Sequence, residues 1–299
     1  MDRFHLMSVF VAVAEAESFA GGARRLGMSP PAVTRAIAML EQRLGIRLLT
    51  RTTRFVRATD AGLRYLDSAR RILAEADEAD EGAAGVHAAP RGHLAVTAPV
   101  LFGSMFVMPG IVDYLGRNPD VSVSALFVDR VVNLLEEGID VGVRIGELPD
   151  STMWAIPVGH VRRVVCAAPG YLQEHEPLNE PHDLVAHVVV SASPVSPAIE
   201  WRFGNGKTSL GVTVRPRLTV NNNEAAIQGA LHGFGVTRLM SYQIAAHLAA
   251  GRLQRVLADY EPPPLPIHVL HSEGRQVSAK VRSFVDLLVE RLRADVALS

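Results

Sequence analysis

The sequence predicts an α/β protein in three parts: a short helical head closed by a basic hairpin over residues 1–59, a long linker helix over 60–90, and a two-lobed α/β domain over 91–299. Three observations predict it. The first sixty residues carry short apolar stripes of helical period, punctuated by glycine. An unbroken apolar series spaced +4 and +3 then runs from Tyr65 to Val86. Beyond His93, apolar strand-like runs alternate with helical patterns, as βαβ units do. At 299 residues the chain exceeds one typical domain and is long enough for two or three cores.

In the head, Leu6, Val9, Phe10 and Val13 form one face of a helix that runs to about Glu17. Ser18 caps a second helix, Phe19 to Leu26, which Gly27 breaks. Ser29 stands at the N-cap of a third. Pro30 and Pro31 fit its first turn, where the backbone N–H groups have no intrahelical acceptor. Val33, Ile37, Leu40 and Leu44 must face the core, which turns Pro31, Ala32, Thr34, Arg35 and Ala38 outward. After Gly45, residues Ile46 to Arg57 read as two short apolar strands around a turn rich in arginine and hydroxyl groups.

Two short helices joined by a tight turn, the second presenting small and hydroxyl residues and an arginine at its start, make a helix-turn-helix, and the hairpin adds a wing. In this winged helix-turn-helix, Ser29, Pro31, Ala32, Thr34 and Arg35 are the candidates for a major groove of double-stranded DNA. Arg51, Thr53 and Arg54 on the wing are placed to contact phosphate or a minor groove. The charge distribution agrees. The whole chain has net charge −1, but the residues up to Asp60 hold nine arginines against five acids, +4, leaving −5 for the rest. Lys207 and Lys280 are the only lysines. Arginine suits bidentate phosphate and guanine contacts, and genome composition explains the same bias equally well.

The head closely resembles the LysR-type transcriptional regulators. The residues that carry the resemblance are Glu15-Ala16-Glu17-Ser18-Phe19, Ser29 to Ile37, Leu40-Glu41, Leu44-Gly45, Arg51-Thr52-Thr53-Arg54 and Thr59-Asp60-Ala61-Gly62. The chain departs from the family pattern at Pro30, where the family usually has glutamine, and at Gly22, where it usually has alanine. Gly21 and Gly22 together cost the second helix about 1 kcal/mol each relative to alanine.

Thr59 is placed to cap the linker helix, which the segment Ala89-Pro90-Arg91-Gly92 ends. Its stripe is Tyr65, Ala69, Ile72, Ala76, Ala79, Ala83 and Val86, flanked by charges. Two readings stand: the stripe pairs two copies of the chain, or it packs on its own domain. The resemblance implies the first, a homo-oligomer (dimer or tetramer) whose paired heads address a pseudo-palindromic site.

In the long domain, strands are expected at His93–Pro99, Val121–Phe127, Val141–Ile145, Arg162–Ala167, Val185–Ser191, Thr208–Val214, Leu218–Val220 and Ile267–His271. Helices are expected at Phe106–Gly116, Val131–Glu137, Glu224–Leu231 and Ala279–Arg293. The pattern suits two lobes crossed twice by the chain, lobe one over about 91–161 and 268–299 and lobe two over about 162–267, with ligand space at the carboxyl ends of the strands.

This region is similar to the family's effector-binding domain through Ala98-Pro99, Phe102-Gly103, Met108-Pro109, Asn118-Pro119, Gly138 to Gly146, Ala168 to Leu172, Gly233 to Val236 and Gly251-Arg252-Leu253. Such domains resemble periplasmic solute-binding proteins. The resemblance implies a small-molecule effector between the lobes, lined by Leu101, Phe102, Gly103, Ser104, Arg144, Gly146, Ser191, Ser193, Asn222, Asn223, Val236 and Arg238. Asn133 and Met240 depart from the usual aspartate and proline. Ser104, Ser191, Asn222 and Asn223 serve equally as caps and turn-formers. Arg144 and Arg238 suit either a carboxylate effector or an acid of the other lobe.

Other chemistries find no support. Gly204-Asn205-Gly206-Lys207-Thr208 has Trp201 where a phosphate loop needs glycine, and reads as a hairpin turn. His268 and His271 fall on opposite faces of a strand, and no paired-cysteine, His-Glu-x-x-His or Gly-x-Ser-x-Gly motif exists, so neither metal, cofactor nor enzyme activity is expected. A single cysteine, Cys166, fits a reducing compartment and reads as a buried thiol. With no basic-then-apolar leader and no stretch of about 18 apolar residues, the expectation is a cytoplasmic protein without membrane association. A solute-binding protein without gene control is the rival class, and it leaves the first sixty residues unexplained.

Overall fold

The computed structural model describes residues 2–51, 56–84, 89–148, 153–192, 198–204, 209–271 and 277–298, with residues 51, 74, 75 and 77–84 described by backbone alone. The chain divides into two compact units, Met1–Ala88 and Ala89–Ser299.

The first unit opens with three helices, α1 (Arg3–Glu15), α2 (Phe19–Arg25) and α3 (Pro30–Leu44). Leu6, Val9, Phe10 and Val13 of α1 meet Ala23, Val33, Ala36, Ile37 and Leu40 in one core. Helix α1 stops two residues short of the expected Glu17, which takes a left-handed φ of 45° in the turn. The Ser18 hydroxyl accepts the Gly21 N–H at 3.2 Å and caps α2. Gly22 earns its place by proximity: a Cβ there stands 2.7 Å from Val13 Cγ2 and 3.0 Å from the Val13 backbone.

Ser29 occupies the N-cap of α3, but its side chain caps nothing. The two prolines after it have no N–H to offer, and the first free donor, Ala32 N–H, goes to the Ser29 backbone carbonyl at 2.9 Å. Gly45 ends α3 at φ 67°.

The wing strands β1 (Leu49–Arg51) and β2 (Val56–Ala58) pair antiparallel, Leu49 opposite Ala58 and Arg51 opposite Val56. Glu41 of α3 holds this hairpin, its Oε1 accepting the N–H groups of Leu48 at 2.8 Å and Leu49 at 3.0 Å. Thr59 then caps α4 (Asp60–Ala84), its hydroxyl accepting the Gly62 N–H at 2.9 Å.

The stripe on α4 is not one uniform seam. Leu66 and Ala69 are buried and Tyr65 packs on the head core, with its ring 5.5 Å from that of Phe10. The first turns of the expected pairing stripe therefore belong to the head itself. Ile72 and Ala76 are half-buried, while the side chains of Ala79 and Ala83, and all of Val86, lie outside the described residues.

The second unit holds two mixed five-stranded sheets. The first contains β3 (Gly92–Ala98), β4 (Val121–Phe127), β5 (Val141–Ile145), β6 (Trp154–Val161) and, from the far end of the chain, β14 (Leu265–His271), in the order β4-β3-β5-β14-β6. Strands β4, β3 and β5 are parallel, and β14 runs against both its neighbours. Lobe one thus reclaims the chain at Leu265, three residues before the expected boundary. Pro266 falls opposite Gly146, one residue beyond β5: its carbonyl accepts the Gly146 N–H at 2.8 Å, and with no N–H to return the bond the pairing with β5 stops there.

Helix α5 (Val100–Phe102), a π turn (Gly103–Val107) and α6 (Met108–Arg117) form one continuous helical segment. The expected helix began only at Phe106, which left Leu101 to Ser104 as loop. Pro109 cannot donate to the helical ladder, and the register widens just before it. The helix expected at Val131–Glu137 is a loop with a single turn. The Val132 carbonyl is taken by Arg144 Nη2 at 2.9 Å, and Gly138 reverses the chain at φ 64°. At the C-terminus α10 (Ala279–Ala294) buries Val281, Phe284, Val285, Leu288 and Leu292, as its spacing predicts.

The second sheet contains β7 (Arg163–Ala167), β8 (Val189–Ser191), β11 (Leu218–Thr219), β12 (Val236–Met240) and β13 (Gln254–Val256), in the order β11-β8-β12-β7-β13. Strands β11, β8 and β12 are parallel, while β7 runs against β12 and β13. The expected strand Val185–Ser191 shortens to β8, because residues Pro181–Ala186 form a 3-10 helix opened by proline. Helix α7 (Pro169–Glu174) follows β7. The hairpin β9 (Ile199–Phe203) and β10 (Leu210–Val214) covers one face with Trp201, Phe203, Val212 and Val214. Helices α8 (Asn223–Leu231) and α9 (Ser241–Ala249) begin at the sheet's edge where β8 and β12 end. Burial pushes the Cys166 thiol on β7 up to about 12.

Candidate nucleic-acid interface and ligand pocket

Packing decides what α3 can show. With Val33, Ala36, Ile37 and Leu40 turned into the core, Ser29, Pro31, Arg35 and Ala38 are exposed, and Ala32 and Thr34 are half-buried beside them. These side chains form one face at the N-terminal half of the helix, where the backbone dipole favours anions. Arg35 makes no ion pair among the described residues. Glu41 connects this helix to the wing, a contact that sequence reasoning quoted only as part of a resemblance. Arg51 ends β1, and the turn carrying Thr53 and Arg54 lies outside the described residues.

The expected effector residues separate into three groups. Phe102 and Val236 are fully buried in the cores of their lobes, and a Cβ on Gly103 stands 2.4 Å from the Phe127 ring. These three pack in the cores, and none of them borders the cavity of about 170 Å³ described below. Leu101 packs against the cores of both lobes, and the rings of Phe102 and Phe106 meet Tyr242 of α9 edge-on at 5.4 and 5.7 Å. The start of α5 is therefore where the lobes touch. Ser104 is exposed and its hydroxyl donates to the Leu101 carbonyl at 3.1 Å.

Arg144 serves lobe one through the Val132 carbonyl, and Gly146 turns the chain at φ 112°. Burial, with Arg130 also near, holds the Arg144 guanidinium below its ordinary value, against the opposing pull of Glu137. Asn222 caps α8, its Oδ1 accepting the Ala225 N–H at 2.8 Å. Ser193 lies outside the described residues.

Ser191, Asn223 and Arg238 come together. They line a cavity of about 170 Å³ with Arg163, Trp201, Met240 and Gln243 among its walls. Sequence reasoning missed Arg163 and Gln243. Arg163 could have been found only by knowing that β7 lies against β12, since the two arginines are 75 residues apart in sequence.

Residues 87–293 match the LysR substrate binding domain family, and residues 4–63 match the bacterial regulatory helix-turn-helix protein, lysR family. The chain belongs to the LysR family of transcriptional regulators. This LysR-type regulator is 35% identical to the HTH-type transcriptional regulator PtxR of Pseudomonas aeruginosa, over 95% of this chain and 91% of that one. It is also similar to the solved structure of CrgA, a LysR-type regulator from Neisseria meningitidis, at 30% identity and TM-score 0.61, covering 96% of this chain and 98% of that one. The full-length structure of AphB, a Vibrio cholerae virulence activator, shares the fold at 23% identity and TM-score 0.62, covering 97% and 99%. As a LysR-type regulator the chain joins a DNA-binding head to an effector-binding domain. Among the described residues no helix is long and apolar enough to cross a membrane.

Proposed function

We propose that this regulator reads double-stranded DNA in the cytoplasm as a homo-oligomer, with Ser29, Pro31, Ala32, Thr34 and Arg35 of α3 in the major groove. Arg51, Thr53 and Arg54 of the wing hold phosphate. A small molecule bound in the second unit, at the convergence of Ser191, Asn223 and Arg238, adjusts that binding, and the protein performs no catalysis. The observation that carries the reading is the exposed face of α3, set by four buried residues on its back, with Arg35 free of any acid among the described residues.

A gel shift on the chain's own upstream DNA tests it. Arg35→Ala is expected to cost about 1–3 kcal/mol and to relax base choice at one position. Arg54→Ala is expected to weaken all sequences alike and to flatten the salt dependence by about one charge. Absence of sequence-preferring, salt-sensitive binding at any small-molecule condition refutes the reading.

A further inference from the structure

The second sheet places two cations side by side. Strands β7 and β12 are antiparallel with Val165 opposite Arg238, so Arg163, two residues along β7, is the diagonal neighbour of Arg238 on the same face. Like charges so placed repel, and neither arginine has a carboxylate partner among the described residues. The Arg238 guanidinium instead lies 4.9 Å over the Trp201 ring, with one N–H donating to the Arg202 carbonyl at 3.4 Å. Burial and the charge of Arg163 push it down to about 10.

Other groups at this edge also favour an anion, while the one acid in the first turn of α8, Glu224, accepts from Gln228 at 3.1 Å and does not line the cavity. The cavity sits where β8 and β12 end and where α8 and α9, each nine residues long, begin, so two helix N-termini face it. Ser191 is 94% buried, and its hydroxyl has no hydrogen-bond partner among the described residues although it borders the cavity. The Asn223 side chain is likewise without a protein partner there. Between these polar groups the lining includes the apolar residues Val190, Ile199, Trp201 and Leu239, which offer the smaller share of its exposed surface. A volume of about 170 Å³ is close to that of a ~150 Å³ cavity that admits benzene, and below the range of sites for drug-sized ligands.

We infer that the effector of this regulator is a small organic carboxylate, its carboxylate bridging Arg163 and Arg238 and its short apolar body lying against Trp201 and Ile199. The inference rests on the regulatory reading above and gives that site its ligand class. A free phosphate matches the cations but leaves the apolar walls empty, and a neutral compound leaves the two guanidinium groups unpaired. The site also has a route to the lobe contact. Met240 and Gln243 wall the cavity, and Tyr242 between them packs on Phe102 and Phe106 of lobe one. A ligand that draws the first turn of α9 toward Arg163 moves that contact with it.

Thermal shift and calorimetry on the full chain test this with acetate, butyrate and benzoate, each beside its neutral amide, and with inorganic phosphate. At least one carboxylate is expected to raise the melting temperature by several degrees in a saturable way, while its amide and phosphate do not. Arg163→Gln, an exposed change that spares the core, is expected to weaken that carboxylate tenfold or more, and Arg238→Gln to abolish binding. The inference is overturned if no carboxylate binds, if an amide or phosphate binds as well, or if Arg163→Gln leaves affinity unchanged. A gel shift run alongside separates the two claims: DNA binding without any carboxylate response removes the inference alone, and loss of DNA binding under every condition removes the regulatory reading.

Discussion

Gly62 sets helix propensity against tertiary packing. It lies in the first turn of α4, where alanine gains about 1 kcal/mol over glycine. Propensity alone therefore predicts that Gly62→Ala stabilises the head. A Cβ at this position, however, stands 2.0 Å from the carbonyl oxygen of Leu48 and 3.3 Å from Ala58 Cβ. That oxygen must retreat by about 1.4 Å to reach an ordinary contact of 3.4 Å. It accepts the Thr59 N–H at 2.9 Å and lies in a residue with no exposed surface. Losing that bond costs about 1 kcal/mol, and losing with it the Thr59 hydroxyl, which donates to the same oxygen at 3.3 Å, leaves the buried carbonyl unpaired and brings the loss to about 2–4 kcal/mol. The expected net effect is a destabilisation of about 1–3 kcal/mol. Hydrogen exchange of the α1 and α3 amides reads the head separately from the rest of the chain. DNA affinity should fall as well, because β1 begins one residue after Leu48. Unchanged or slower exchange in Gly62→Ala refutes the packing argument and leaves propensity in charge.

Other outcomes follow from single contacts. Glu15 loses solvation by partial burial, yet Arg70, at 2.8 Å, and Arg25 hold its carboxyl below the ordinary range. A depressed acid stabilises fully above its unfolded value and less as pH falls through the folded one. Glu15→Gln should therefore cost up to about 1 kcal/mol at neutral pH, discounted for the exposed arginines. That difference should shrink below about pH 4.5 in denaturant titrations, and a difference that grows on acidification contradicts the assignment. Cys166, fully buried and with its thiol raised to about 12, should resist iodoacetamide in the native protein and react in urea; stoichiometric native labelling contradicts its placement.

The residues that were legible in advance are those whose meaning is local. Val33, Ile37 and Leu40 announce a buried helix face by spacing, and that face leaves Arg35 outside whatever the rest of the chain does. Thr59, Gly27 and Gly45 mark element ends because capping and positive φ are properties of a few consecutive residues. Val281, Phe284, Leu288 and Leu292 are read correctly for the same reason. The false helix at Val131–Glu137 shows the limit. Its local pattern is helical, but a guanidinium 12 residues away takes the Val132 carbonyl, and such competition has no local trace.

The candidate site divides along the same line. The sequence by itself determined a helical head followed by an α/β domain, the outward face of α3 and the family, since each rests on periodicity or on an ordered run of residues. Only the tertiary structure decided that Phe102, Gly103 and Val236 are packing residues and that Tyr65 and Ala69 serve the head. It alone brought Arg163 beside Arg238. Strand order is set by how whole sheets bury their faces, so residues 75 apart become neighbours through pairings that no window of the sequence contains.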